Sequence, residues 1–305
     1  MRIVHVCDTA GIGSILSKYQ TLAGHEANVI CSEGLTDKYG IYDFYREFIE
    51  LFPKDIFIQT LVQECRNADV VHVHSNIALL QMLRSALGLK KKIILHYHGT
   101  DIRGLKIRLP HRSIGSDGLI LSKLLYRKIL HGYRHRKAQQ QANLIFSSQK
   151  DLIKLVPTAI HIPIAVDINH FLNLQRIRTN KQKNAFTFKT EAVDMDLVVD
   201  HLKKHSIQVP LEVHDRTTKP IMYKDMPLFL NGFETYIDIR YVNGKLLEDL
   251  SSTALQALAC GLSVIDYELN LLKSLPKEHQ APNVADKVLD LYTRSIQPNQ
   301  KHGLF

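Results

Sequence analysis

The stretch "DVVHVHSNIALLQMLRSALGLKKKIILHYHGTD", residues 69–101, decides the fold. It opens on a short run of Val and His (69–75), too compact and β-branched for a helix. Residues 77–88 then carry apolar side chains at helical spacing and stop at Gly88. A second apolar, β-branched run follows at 91–99. A strand, a helix and a strand, with both strands apolar along their whole length, describe a parallel sheet covered on both faces.

The same rhythm extends outward. Strands are expected at 2–7, 26–32, 142–148 and 159–167, and helices at 14–24 and 57–68. After a polar, basic stretch, "INHFLNLQRIRTNKQKN" (168–184), the alternation resumes. Strands are expected at 185–190, 209–215, 235–241 and 262–267, and helices at 194–205, 223–233, 251–261 and 283–295. The fold class is therefore α/β, with two doubly wound Rossmann-like domains. Residues 1–168 form one, 169–184 a linker and 185–305 the other, whose last helix can pack back on the first. Two such domains face each other across a cleft, and open α/β sheets bind ligands at the carboxyl ends of their strands.

Composition fits a two-domain globular chain of 305 residues, 45% hydrophobic and 23% charged. No apolar run is long enough to span a bilayer, and "MRIVHVCDTAGIG" reads as a strand and turn, not a signal peptide. The four cysteines (Cys7, Cys31, Cys65, Cys260) show no CxxC spacing, which points to a reducing, cytoplasmic compartment and no metal site. The formal charge is +9. Residues 102–137 hold ten Lys and Arg against Asp117 alone, so the excess lies in that one stretch. It calls for an anionic partner. Within it, "LILSKLLYRKILHGYRHRK" (119–137) interleaves leucines with Lys123, Arg127 and Lys128 and reads as a basic amphipathic surface suited to an anionic membrane.

Three constellations carry chemistry. In "CDTAGIGSIL", Gly11 and Gly13 follow a strand and open a helix, a place where backbone amides can cradle a phosphate. A dinucleotide fingerprint would need a third glycine where Leu16 stands. In "HYHGTDIRG" (96–104), His98 closes a strand and is followed by Asp101 and Arg103; a histidine there can position or deprotonate a hydroxyl. In the third, Arg240 ends a strand, and Lys245 and Glu248 precede a helix that carries Ser252, Thr253 and Gln256. The helix start suits a phosphate, and Glu248 can accept from a sugar hydroxyl.

These segments, in order, resemble the retaining glycosyltransferases of family 4, which have the GT-B fold. "ADVVHVHS" and "IILHYHGTD" resemble two of the family's strands, "ANLIFSSQKDLI" its segment ending in a serine and an acid, "IHIPIAVDINHF" its IPNGVDxxxF segment, and "EDLSSTALQALACGLSVI" its ExxxxxxxEAMACGxPVV stretch. The resemblance implies transfer of a sugar from a nucleoside-diphosphate donor to an acceptor hydroxyl, with retention, no cofactor and no metal. Glu248 matches the first family glutamate and Gln256 the second, which binds ribose. His98 matches the histidine that contacts the sugar. Arg240, Lys245, Ser252 and Thr253 fall near the diphosphate, with Gly11 and Gly13 opposite.

The chain departs from the family twice. An amide stands at Gln256, and the loop that normally carries an Arg and a Lys for the diphosphate reads "FTFKTEAVDMD", with Lys189 the one cation among Glu191, Asp194 and Asp196. The expected enzyme is a cytoplasmic, peripheral membrane protein at the inner face, with a lipid-linked or membrane-embedded acceptor and no nucleic-acid partner. Two alternatives stay open: a degenerate transferase fold that binds without turnover, and a nucleic-acid binder that uses residues 102–137.

Overall fold

The computed structural model describes residues 1–8, 11–34, 37–99, 102, 130–172, 185–190, 193–207 and 210–296. The first half runs β1 (Arg2–Val6), α1 (Ile12–Leu22), β2 (Glu26–Ser32), α2 (Ile41–Phe44), β3 (Ile49–Phe52), α3 (Lys54–Asn67), β4 (Val70–His74), α4 (Ile77–Leu87), β5 (Lys92–Tyr97), α5 (130–141), β6 (Leu144–Ser147) and β7 (Ile160–His161). These strands make one seven-stranded sheet in the order β3-β2-β1-β4-β5-β6-β7, parallel throughout. Order reverses at β1, so the loops after β1 and β4 diverge and leave a crevice at the sheet's carboxyl edge.

The second half runs β8 (Ala185–Lys189), α7 (Met195–Lys204), β9 (Leu211–Asp215), α8 (Met226–Leu230), β10 (Thr235–Ile237), β11 (Tyr241–Val242), β12 (Lys245–Leu246), α9 (Ser252–Ala259), β13 (Ser263–Ile265), β14 (Leu271–Leu272) and α10 (Ala281–Ile296). Its five-stranded sheet has the order β14-β13-β10-β8-β9, parallel except for the edge strand β14. β11 and β12 form a separate antiparallel hairpin. The α/β class and the two Rossmann-like sheets are as the sequence predicts.

Local differences have physical causes. The linker expected from residue 169 opens as a helix, α6 (Ile168–Leu172), because Phe171 is fully buried in the core shared by both halves. The strand expected over 235–241 stops at Ile237. Asp238 and Arg240 turn inward there and tie themselves to the start of α9. β3 is not expected from the sequence; at the sheet edge it buries Ile49 alone and exposes Glu50 and Leu51, so it lacks the unbroken apolar run of the inner strands.

One apolar core passes through both halves. It holds Ile3, Leu16 and Ile94 of the first sheet's layer, Phe186 and Tyr236 of the second, and Val284, Val288 and Tyr292 of α10. That last helix packs on α1, back on the first half. A main-chain bridge runs with it: Val166 N donates to His279 O at 2.8 Å, and Ala281 N donates to Val166 O at 3.0 Å. Among the described residues, no helix is long and apolar enough to cross a membrane.

A single carboxylate organises this junction. Asp167 has no exposed surface and accepts from Lys18 Nζ (2.7 Å), Tyr19 OH (2.8 Å) and Tyr45 OH (2.9 Å). Tyr45 OH in turn meets Tyr223 OH of the second half at 2.9 Å. Burial pushes the Asp167 pKa up, but the Lys18 charge and the donated bonds outweigh it and hold the carboxyl below its usual range. Asp167→Ala should therefore cost about 3 kcal/mol of unfolding free energy in urea, because it strands a charged Lys18 and two phenol hydroxyls. Tyr45→Phe should cost about 1 kcal/mol by the same measurement.

Candidate functional site

The crevice after β1 faces the second half across a cavity of about 310 Å³. The first half lines it with Asp8, Gly11, Asp37, Lys38, Tyr39, Ile41 and Tyr42. The second half lines it with Arg216, Ile221, Tyr223, Met226, Ser252, Thr253 and Gln256.

On the first side, the chain leaves β1, turns at Gly11 (φ +78°) and enters α1. A helix start offers free amides and positive potential. Here a protein carboxylate takes them. Asp8 accepts from Gly13 N at 2.9 Å, from Ser14 N at 3.3 Å and from the Ser14 hydroxyl. Burial raises the Asp8 pKa, partly offset by these bonds. The phosphate cradle expected at Gly11 and Gly13 is therefore filled by Asp8. Gly13 has a packing role as well: a Cβ there would lie 3.2 Å from His74 Nε2.

On the second side, α9 begins as the sequence predicts. Ser251 Oγ accepts from Ala254 N at 3.0 Å. Gly261 (φ +77°) closes the helix, and Leu262 N reaches back to Ala257 O at 2.9 Å. Ser252, Thr253 and Gln256 line the cavity from its first two turns. Gln256 Nε2 donates to Ser252 Oγ at 3.2 Å. That bond fixes the amide with its nitrogen toward the serine.

The sequence reading missed several cavity residues, Asp8, Tyr39 and Tyr223 among them, and the one that carries charge chemistry from the second half is Arg216. It lies just past the carboxyl end of β9, which is the positional signal that could have found it. Its guanidinium stacks on Tyr39 of the first half at 4.4 Å and on Phe188 at 4.9 Å. Its Nε is buried and has no hydrogen-bond partner among the described residues, and burial lowers its pKa. A buried, unpaired N–H on a permanent cation at a cavity wall is a ready anion ligand.

The other expected donor residues lie elsewhere. Lys189 is half exposed and pairs with Asp215 at 2.9 Å; of the acids expected to crowd it, Glu191 lies outside the described residues. Arg240 faces Asp238 at 3.1 Å and donates to Asp249 O, so its charge is spent on holding the loop before α9. Lys245 is exposed in the β11–β12 hairpin. Glu248 is exposed and faces Lys154 of the first half at 3.4 Å, outside the cavity. Beside it, Asp249 accepts from Lys150 N at 2.7 Å and Asp151 N at 3.3 Å. This acidic turn thus clasps the two halves together. Asp101, Arg103, Lys123, Arg127 and Lys128 lie outside the described residues.

His98 belongs to a larger array. Alternation along β1, β4 and β5 puts His5, His72, His74, His96 and His98 on one sheet face, the face that α1 and α10 cover. All ten of their ring nitrogens are in hydrogen bonds. His98 Nε2 meets His74 Nδ1 at 2.9 Å, and His98 Nδ1 meets Ser148 Oγ at 2.9 Å. Two triplets, His5–His72–His74 and His74–His96–His98, bring a nitrogen each within 4.8 Å of one another. A metal ion would have to break these bonds to bind there.

No family model matches the chain, and no curated protein matches it in sequence. Solved structures do match in three dimensions. An alpha-glucosyltransferase in complex with UDP and a 13-mer DNA containing a central A:G mismatch aligns at TM-score 0.55 and 13% identity, over 88% of this chain and 80% of that one. An alpha-glucosyltransferase with UDP and a 13-mer DNA containing a HMU base aligns at 0.56 and 12%, over 97% and 93%. An alpha-glucosyltransferase with UDP aligns at 0.52 and 11%, over 97% and 93%.

The fold is GT-B. Two of these three GT-B neighbours hold DNA, so the expectation of no nucleic-acid partner finds no support in them.

The histidine array makes stability depend on acid. Burial lowers the His5 pKa to about 4 and holds His72, His74 and His96 well below the ordinary value. Below pH 6.5 the unfolded chain takes up these protons and the folded chain does not, so stability falls as pH falls. Four rings give a slope of roughly 5 kcal/mol per pH unit at its steepest. Urea midpoints should be flat above about pH 7 and drop sharply toward pH 4.5. A flat profile across that window would show that the rings are not buried and neutral.

Proposed function

We propose that the protein transfers a sugar from a nucleoside-diphosphate donor, bound in the cavity between the halves, to an acceptor hydroxyl, with retention of configuration as in family 4. The observation that carries this is Arg216, a half-buried side chain whose buried Nε has no partner among the described residues, which lines the same cavity as the start of α9. Both groups favour a diphosphate. Arg216 takes the role expected of the absent Arg/Lys loop, and Gln256 offers its amide oxygen to a ribose hydroxyl.

In the reaction, the bond from the anomeric carbon to the diphosphate oxygen breaks through an oxocarbenium-like state. The bond to the acceptor oxygen forms on the same face, and the acceptor proton leaves with the diphosphate. Arg216 and the α9 dipole stabilise the charge that grows on that leaving group. GT-B neighbours solved with UDP support this reading.

A second reading concerns the acceptor. The basic stretch 102–137 suits either an anionic membrane or a nucleic acid, and the neighbours solved with DNA favour the nucleic acid. Co-sedimentation with anionic vesicles and retention on a DNA duplex, both at low salt, separate the two. Stronger, salt-sensitive retention on DNA is expected, and binding to vesicles alone would restore the lipid-linked acceptor.

Calorimetry against UDP, ADP and GDP tests the donor site. Arg216→Ala should weaken the best ligand about tenfold or more, and Lys189→Ala should leave it within about twofold. Binding with no transfer or hydrolysis of any nucleotide sugar would make the chain a degenerate, non-catalytic member of its fold.

A further inference from the structure

The two walls of the cavity differ in what caps their helix starts. From the first half, α1 and α2 both begin near it, and a protein carboxylate holds each start. Asp8 accepts from Gly13 N (2.9 Å), Ser14 N (3.3 Å) and the Ser14 hydroxyl. Asp37 accepts from Ile41 N (2.8 Å) and Tyr42 N (2.7 Å). From the second half, α9 begins with the neutral Ser251 as its cap, and Arg216 lines the same wall.

The first wall is therefore negative, with Asp8 and Asp37 against Lys38. The second carries Arg216 and, among the described residues, no acid. Asp8 is half-buried just past the end of β1, where the expected phosphate cradle begins. Among the described residues, every hydrogen bond to its carboxylate comes from a donor. Those donors and the start of α1 favour the ionised form, while burial and the neighbouring Asp37 oppose it. A cavity of about 310 Å³ is too small to screen a charge on one wall from a ligand held by the other, since salt screens over about 8 Å.

On the donor reading, Arg216 and α9 hold the diphosphate from the second wall, and its terminal phosphate faces the first. A sugar nucleotide carries one negative charge on each phosphate. When the bond from the anomeric carbon to oxygen breaks, the electron pair stays on the diphosphate. The acceptor proton that it takes has a pKa of about 6 and passes to solvent above that pH. The product then carries one more negative charge than the donor did, on the phosphate that faces Asp8.

We propose that Asp8 is a specificity-determining residue: a fixed carboxylate in the place of a ligand anion, which admits the esterified diphosphate of a sugar nucleotide and disfavours the free diphosphate, so that product is expelled once its sugar has gone. This rests on the donor reading given above. It also gives the filled helix start a use. The first half has no room for a second phosphate, so the charge of the ligand is confined to the Arg216 side.

Calorimetry at pH 8 with UDP, ADP and GDP, each beside its terminal methyl ester, separates charge from any contact to a sugar. The native protein should bind the ester of its best nucleotide at least as tightly as the free form, although Arg216 attracts the extra charge. Asp8→Asn should shift that ratio about tenfold toward the free form. Asp8→Glu, which keeps the charge, should leave it within about twofold. A native preference for the free form overturns the proposal, as does a ratio that Asp8→Asn leaves unmoved. If Asp8→Asn does not fold, Asp8→Ser, whose hydroxyl can still accept from the α1 amides, replaces it, and the native comparison decides by itself. Failure of the native protein to bind any of the six compounds sinks the donor reading and this inference with it. Binding with a ratio indifferent to Asp8 sinks this inference alone.

Discussion

A buried carboxylate, Asp167, fixes how the two halves meet. It sits where the chain leaves the first sheet, and its three donors all come from the first half: Lys18 and Tyr19 on α1, and Tyr45 just after α2. Tyr45 passes the constraint to Tyr223, which stands at the wall of the cavity. An unpaired carboxylate at this depth would be prohibitive, so the segments carrying those donors must converge. The shape of the cavity is a consequence of that convergence.

The cavity in turn depends on side chains that its neighbours restrain. Tyr39 from the first half and Phe188 from the second clamp the Arg216 guanidinium from two sides. Tyr223 N donates to Tyr39 O at 2.7 Å, so the segment that carries Tyr39 is bonded across the gap by its main chain. On the outer rim, the Glu248–Asp249 turn is bonded to residues 150–154. A GT-B cleft is usually pictured as two surfaces and a hinge. Here the two surfaces already share hydrogen bonds, an aromatic stack and one apolar core.

Much of the architecture was legible in the residues. Near-continuous apolar strands gave a parallel sheet, and the order of several weak motifs pointed to GT-B. The helix 252–259, with its serine cap and glycine stop, was readable to within a residue, because capping is local chemistry. Ser252, Thr253 and Gln256 share that legibility, since helix geometry sets which of them face one way. Lys189, Arg240, Lys245 and Glu248 did not. Each stands near the expected place in the chain, but Asp215, Asp238 and Lys154 capture three of them and the fourth faces solvent.

The sequence by itself determined most of the longer elements, their order and the presence of two parallel sheets, because hydrophobic period and capping act over a few residues. Strand alternation also put His96 and His98 on one side of β5; that His5, His72 and His74 share that face came from the strand pairing. Only the tertiary structure decided which charges remain free to meet a ligand. Charge pairing depends on distances between segments far apart in the chain, as with Asp8 filling the helix start or Asp215 holding Lys189. The sequence places Arg216 just past the carboxyl end of β9, but only folding brings it to the cavity wall with its Nε unpaired among the described residues.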